Sequence, residues 1–141
     1  MKTSVDQTGG VVTQSQSVGA GVAATLWQPA EKVLAVESVE ALDLALCIYS
    51  FDLGTGVNSG NSPLLILETA MQNDDPENPV WVELASVNLY DSFDTANWNA
   101  VVGVTITGGV LKYLRWRIAI PSRGAAFQVN LVFQITGYGR S

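Results

Sequence analysis

Hydrophobic and polar residues alternate with a period of two along much of the chain, most clearly near its C-terminal end. Every second residue is apolar in 114–120 and again in 127–135. Successive side chains of a β-strand point to opposite faces, so this alternation predicts two half-buried strands. Residues 121–124 (Pro-Ser-Arg-Gly) are typical of a turn. The sequence therefore predicts that these two strands pair side by side as an antiparallel hairpin.

The same alternation recurs upstream and defines the fold class. Together with the last two strands it indicates about eight or nine strands, joined by segments rich in Gly, Asn, Asp, Ser and Pro. Long helical patterns are nearly absent, so we expect an all-β, two-sheet antiparallel β-sandwich that is jelly-roll-like. The further strands are expected at 42–48, 64–69, 81–87 and 101–107, with weaker candidates at 11–15, 20–26 and 33–39.

The length of 141 residues fits one domain. Residues 1–19 are rich in Ser, Thr, Gln and Gly, and we expect them to form a flexible polar N-terminal arm. The sandwich domain is then expected to span 20–141. No apolar leader and no membrane-spanning run are visible, so we expect no signal peptide, no membrane partner and synthesis in the host cytoplasm.

Composition excludes several kinds of chemistry. The chain has no histidine, which removes Ser-His-Asp and Cys-His catalysis and histidine metal sites. The single cysteine, Cys47, cannot form an internal disulfide, and a buried, unreactive thiol is the simplest interpretation. The glycines between Gly54 and Gly60 lack the spacing of a dinucleotide-binding or phosphate-binding loop, so a turn between strands is expected.

Acidic residues offer the remaining candidates for chemistry. Asp74, Asp75 and Glu77 lie close together in one loop, but no calcium-loop pattern accompanies them. Four glutamates that could pair for glycosidic hydrolysis lie in or beside predicted strands, with no separation defined for any pair: Glu37, Glu40, Glu68 and Glu83. We therefore expect no enzymatic activity, no catalytic residues, no small-molecule substrate, no cofactor and no metal.

Charge is low and unevenly distributed. Charged residues make up 14 % of the chain, against about 25 % in typical proteins. All thirteen acidic residues lie in 1–94, whereas 95–141 holds five basic residues and no acid. The two parts either neutralise each other within one fold or create a bipolar surface suited to subunit contacts. Five bases on a chain of net charge −6 are too few for nucleic-acid binding.

A row of polar side chains is the main candidate for an interaction surface. Tyr113, Arg115 and Arg117 alternate with core positions and should share one face of their strand. The arginines either pair with acids on adjacent strands or bind an acidic partner surface. Arg123 in the following turn and Trp98 in a polar loop complete the candidate surface, with Trp98 suited to a protein interface or to sugar stacking.

Four stretches taken in order resemble a family of viral proteins. They are 65–71 (LILETAM), 79–84 (PVWVEL), 111–118 (LKYLRWRI) and 126–129 (AFQV). A strand ending in an acidic loop, a Trp shortly after it and a late Tyr-Leu-Arg strand resemble small jelly-roll capsid decoration, or cement, proteins of tailed phages and phage-like particles. The resemblance covers about residues 40–136.

That resemblance implies a structural role in the virion. The chain would bind the capsid exterior, with the major capsid protein and copies of itself as partners, and would bridge neighbouring capsomers. A carbohydrate-binding or lectin-like module is the first alternative, and a self-assembling shell subunit is the second. High apolar content and low charge agree with assembly, because exposed apolar surface favours association.

Overall fold

The computed structural model describes residues 2–5, 10–16, 24–27, 34–36, 40–54, 56–71, 80–92, 101–122 and 127–140. Within these ranges the chain forms ten strands and one short helix. The helix is α1 (Leu89–Ser92). The strands are β1 (Lys2–Val5), β2 (Gly10–Gln16), β3 (Ala24–Trp27), β4 (Leu34–Ala35), β5 (Ala41–Asp52), β6 (Leu64–Ala70), β7 (Val82–Asn88), β8 (Val101–Ile106), β9 (Tyr113–Ile120) and β10 (Phe127–Arg140).

The strands form two antiparallel sheets whose order is that of a jelly roll. In sheet A, β1 and β2 pair with successive parts of β10, which pairs with β5, which pairs with β8. In sheet B, β3 and β4 pair with successive parts of β9, which pairs with β6, which pairs with β7. The connections β1–β2, β3–β4 and β6–β7 stay within a sheet, and every other connection crosses to the opposite sheet. This arrangement confirms the predicted all-β, two-sheet sandwich.

The predicted hairpin between the last two strands is wrong. Both strands exist, but β9 lies in sheet B and β10 in sheet A, so they face each other across the core. Trp116 of β9 meets Phe133 of β10 edge to face, with ring centroids 5.1 Å apart and an interplanar angle of 79°. Alternation shows that one face of each strand is buried, but it is the same whether the two strands are neighbours in one sheet or lie in opposite sheets.

The N-terminal residues contribute strands to sheet A. The described parts of 1–19 extend this sheet, and the division into an arm at 1–19 and a sandwich domain at 20–141 stays a prediction. β1 pairs with residues 137–140 of β10, and β2 pairs with residues 127–133. Polar side chains do not prevent this, because an antiparallel edge strand is held by backbone hydrogen bonds and can face water on one side.

The core lies between the sheets and is built from alternate residues of their central strands. On β9 the burial alternates at every position, from half-buried Tyr113 to buried Ile120. β6 differs because it is buried on both faces, as its largely apolar sequence predicts. The gap lined by side chains such as Leu46, Ile118 and Leu131 has no room for a water molecule, so the core is dry there.

The connection between β8 and β9 is fixed to the end of β6. The hydroxyl of Thr69 donates to the Tyr113 carbonyl and accepts from the Leu111 amide, both at 2.8 Å. Gly109 has a φ of 79°, in the left-handed region that glycine adopts without strain. These contacts fix where β9 begins, and therefore which of its side chains face outward.

Candidate interaction surface

The outer face of sheet B carries the polar row predicted from the sequence. Tyr113, Arg115 and Arg117 are half-buried and alternate with buried core residues of β9, so they share the face turned away from the core. Trp98 and Arg123, the other two predicted surface residues, lie outside the described residues. Three of the five candidates are thus placed on one strand.

Both arginines bind the same carboxylate on the neighbouring strand. Nε of Arg115 lies 3.0 Å from Oε1 of Glu68, and Nε of Arg117 lies 3.1 Å from Oε2. The strand register explains this geometry, because Glu68 is opposite Arg115 and Arg117 is two residues further along β9. Opposed residues of an antiparallel pair lie on the same face, within reach of long side chains.

This three-residue cluster is largely removed from water. Glu68 is 6 % exposed, and the side chains of Arg115 and Arg117 are 18 % and 24 % exposed. Hydrogen bonds between ionised groups are stronger than neutral ones, and more so where water is scarce. The first interpretation of the arginines, pairing with acids on adjacent strands, is therefore what the structure shows.

An aromatic ring extends the cluster toward β7. The guanidinium carbon of Arg115 lies 4.0 Å from the centroid of the Trp81 ring, which is a cation–π contact. The indole nitrogen of Trp81 is buried and has no hydrogen-bond partner among the described residues. We call Trp81, Arg115, Glu68 and Arg117 the arginine cluster. Within it, Arg115 covers one face of the Trp81 ring.

The charges on this face come close to balancing. Glu83 on β7 is exposed and lies opposite Glu68 in the register of β6 and β7. Two carboxylates thus stand beside the two guanidinium groups. Reversing the charge of Arg115 and Arg117 would place like charges around a buried Glu68, so such a variant tests stability rather than docking. A docking role for Tyr113, Arg115 and Arg117 stays a prediction.

Sequence reasoning missed Glu68 as the centre of the cluster. Its signal was visible, because an acid in an otherwise apolar strand that is buried on both faces needs a cationic partner. The identity of that partner was not visible. It depends on β9 lying beside β6, which no local pattern in the chain encodes.

A second feature of the surface is an exposed apolar group at the end of the β6–β7 pair. Met71, Val80 and Val82 are 53 %, 76 % and 51 % exposed. Val82 lies opposite Thr69, so the antiparallel register carries Met71 and Val80 to the same end of the two strands. We call these three residues the apolar corner. Contiguous apolar patches larger than a few hundred Å² are typical of interaction surfaces.

The opposite end of the sandwich is polar and held by hydrogen bonds. The β5–β6 connection is tied to α1 by the hydroxyl of Ser59, which donates to Oδ2 of Asp91 at 2.9 Å. The side-chain amide of Asn88 donates to the Ser59 carbonyl at 3.0 Å. Gly54 and Gly56 have positive φ, and residues 59–61 form a turn, as expected for a connection between two strands.

In the described part of the chain, no group of three or more His, Cys, Asp or Glu side chains is placed to hold a metal ion. Asp74, Asp75 and Glu77 lie outside that part. No helix within it has the length and apolar character needed to cross a membrane.

Neither a scan against known protein families nor a search of curated proteins finds a match for this chain.

Proposed function

We propose that this protein is a structural virion protein that decorates the exterior of a capsid and bridges neighbouring capsomers. The apolar corner is the observation that carries the proposal. Val80 is 76 % exposed beside exposed Met71 and Val82, on a sandwich whose core is otherwise well buried. When a partner covers exposed apolar surface, the complex gains about 25 cal/mol for each Å² of that surface removed from water.

The architecture supports the same role. A jelly roll with a tightly packed core supplies a rigid body that carries contact surfaces on its faces, ends and edges. Weak contacts repeated over a lattice add up through multivalency, so each copy needs only a modest interface with its capsomer. The major capsid protein and further copies of this chain are the proposed partners.

The test is to mix the purified chain with assembled capsids from the phage or phage-like particle encoded in the same genome. We expect the chain to sediment with these capsids and to add regular density to their outer surface in electron micrographs. Serine at all three corner positions (Met71→Ser, Val80→Ser, Val82→Ser) is expected to weaken binding at least about tenfold, which corresponds to 1.4 kcal/mol.

The matched control is Val132→Ser, which removes an exposed apolar side chain from β10 in the other sheet. It is expected to bind capsids like the unaltered chain. Absence of binding to any capsid, or density only inside the shell, would overturn the proposal. Specific binding on a glycan array without capsid binding would favour a carbohydrate-binding module instead.

A further inference from the structure

Within the described residues, strand β8 lies at an edge of sheet A. Among the described residues it pairs only with β5, in an unbroken register from Leu42 opposite Ile106 to Cys47 opposite Val101. Its sequence, VVGVTI, contains no charge and no proline. No other described strand pairs with the far side of β8, and an uncharged, regular edge is the kind that accepts a further strand.

The other sheet edges carry features that oppose such pairing. β7 has a register shift opposite Leu67 and Glu68, and it carries the exposed Glu83. The edge made by β3 and β4 consists of strands of four and two residues. The edge made by β1 and β2 is also divided, and β2 ends in four polar residues. Within the described residues, β8 alone is undivided, in register and apolar.

The face of β8 that is turned away from the core is exposed and carries small side chains. Val101 is 61 % exposed, and Gly103 and Thr105 are also exposed. A Cβ atom added at Gly103 would meet no other atom within 4 Å. The strand therefore presents small and apolar side chains beside its open backbone edge.

We propose that β8 pairs with β8 of a second copy of this chain, antiparallel and about a two-fold axis, so that sheet A continues from one copy into the next. Each copy would present the same edge, which is the condition for an isologous contact. A charged partner segment would find no complementary charge on β8. An identical strand meets Val, Gly and Thr with the same residues and satisfies both open edges at once.

Electrostatics permits this pairing although the chain has a net charge of −6. Asp43 is the charged residue of β5 in register with β8, where it lies opposite Thr105. Neighbouring strands lie about 4.8 Å apart and rise about 3.3 Å per residue. With a two-fold axis near Gly103 or Val104, the Asp43 residues of the two copies would therefore be at least about 15 Å apart. That exceeds the Debye length of about 8 Å at physiological salt.

This inference rests on the self-association included in the proposed function and specifies its interface. The pairing would turn one capsid-binding unit into two, and thereby raise avidity on a lattice.

The first test uses added charge on the edge. The double variant Gly103→Lys with Thr105→Lys places lysines of the two copies opposite one another, whether the two-fold axis lies at Gly103 or at Val104. We therefore expect the dimer dissociation constant, measured by sedimentation equilibrium, to rise at least a hundredfold. Gly103→Glu with Thr105→Glu is expected to do the same. Mixing the two variants should restore a dimer of one copy each, in a salt-dependent way.

The matched control adds two lysines at exposed positions of sheet B, Thr25→Lys with Ser86→Lys, and should dimerise as the unaltered chain does. Circular dichroism establishes that each variant retains its β structure. If the unaltered chain were monomeric at 100 μM, the proposal would be overturned. A dissociation constant of that size corresponds to an association free energy of only about 5.5 kcal/mol. An oligomer that persists in the lysine pair, or a mixture of the two variants that stays monomeric, would also overturn the proposal.

The second test uses the single cysteine as a spectroscopic probe. Cys47 lies on β5 opposite Val101 and is half-buried, not buried as the sequence suggested. Spin labels attached there should report one distance, corresponding to Cα atoms roughly 19–24 Å apart across the paired edges. Absence of dipolar coupling in the dimer, or a distance beyond about twice this range, contradicts pairing through β8.

The two proposals fail separately. If the lysine variant is monomeric and still binds capsids, the decoration proposal is retained, and β8 serves only for pairing between copies of the chain. A dimer through β8 that binds no capsid would retain the edge pairing and refute decoration.

Discussion

Replacing Trp116 or Phe133 with alanine is expected to lower the free energy of unfolding by about 3–5 kcal/mol each, the largest single effects in this chain. Both side chains are at most 5 % exposed and meet edge to face between the sheets. Truncating either one removes apolar burial and leaves a cavity that rigid sheets fill poorly. Urea unfolding followed by circular dichroism measures the loss.

A double-mutant cycle separates the contact from burial. The cycle uses Trp116→Leu, Phe133→Leu and the double variant. The loss of unfolding free energy in the double variant should be smaller than the sum of the two single losses by about 0.5–1.5 kcal/mol, which is the energy of an aromatic pair beyond its buried area. Val132→Ala is the control, because this neighbour of Phe133 points outward and its loss should stay within about 0.5 kcal/mol. Full additivity would contradict direct contact between the rings.

Replacing Glu68 with alanine is expected to lower the free energy of unfolding by about 2–3 kcal/mol, and the melting temperature by roughly 6–10 °C. The substitution leaves two guanidinium groups side by side without their common carboxylate. Removing one member of a fully buried pair costs about 3–5 kcal/mol, and the partial exposure of both arginines reduces that value.

The control for Glu68 is Glu83, which lies opposite it on β7 but is exposed. Glu83→Ala should change stability by less than about 0.5 kcal/mol. Replacing Glu68, Arg115 and Arg117 together with apolar residues of similar size should recover most of the loss, because no buried charge then remains unpaired. If Glu68→Ala were as mild as Glu83→Ala, the cluster would contribute nothing to stability.

The fold class could be predicted because each strand carries its own signal. The alternation in β9 and β10 and the apolar run of β6 are local properties that follow from which faces are buried. Pairing is not local. The sequence shows that Trp116 and Phe133 are both buried, but only the topology shows that they belong to opposite sheets.

The candidate site divides in the same way. That Arg115 and Arg117 share a face follows from the period of two, and the structure confirms it. That Glu68 joins them depends on β6 lying beside β9, which involves residues 47 and 49 positions apart in the chain. The apolar corner was not predicted, since Val80 and Val82 look like any core-facing residues until the end of the strand pair is located.

The two proposed contact regions lie at different places on the sandwich. The apolar corner is at the end of the β6–β7 pair in sheet B, and the open edge belongs to β8 in sheet A. A lattice protein needs separate surfaces for its capsomer and for its neighbours. This division allows each surface to be removed by substitution without touching the other.

The placement of the last two strands in opposite sheets is the central structural claim, because the core, the arginine cluster and the open edge all depend on it. Proton contacts measured by nuclear Overhauser spectroscopy test it directly, since backbones of paired strands lie about 4.8 Å apart and those of stacked sheets about 10 Å apart. We predict backbone contacts between Ile135 and Leu46 and between Trp116 and Leu67. Backbone contacts between Ile118 and Phe127, which a β9–β10 hairpin with its turn at 121–124 would pair, would contradict the account.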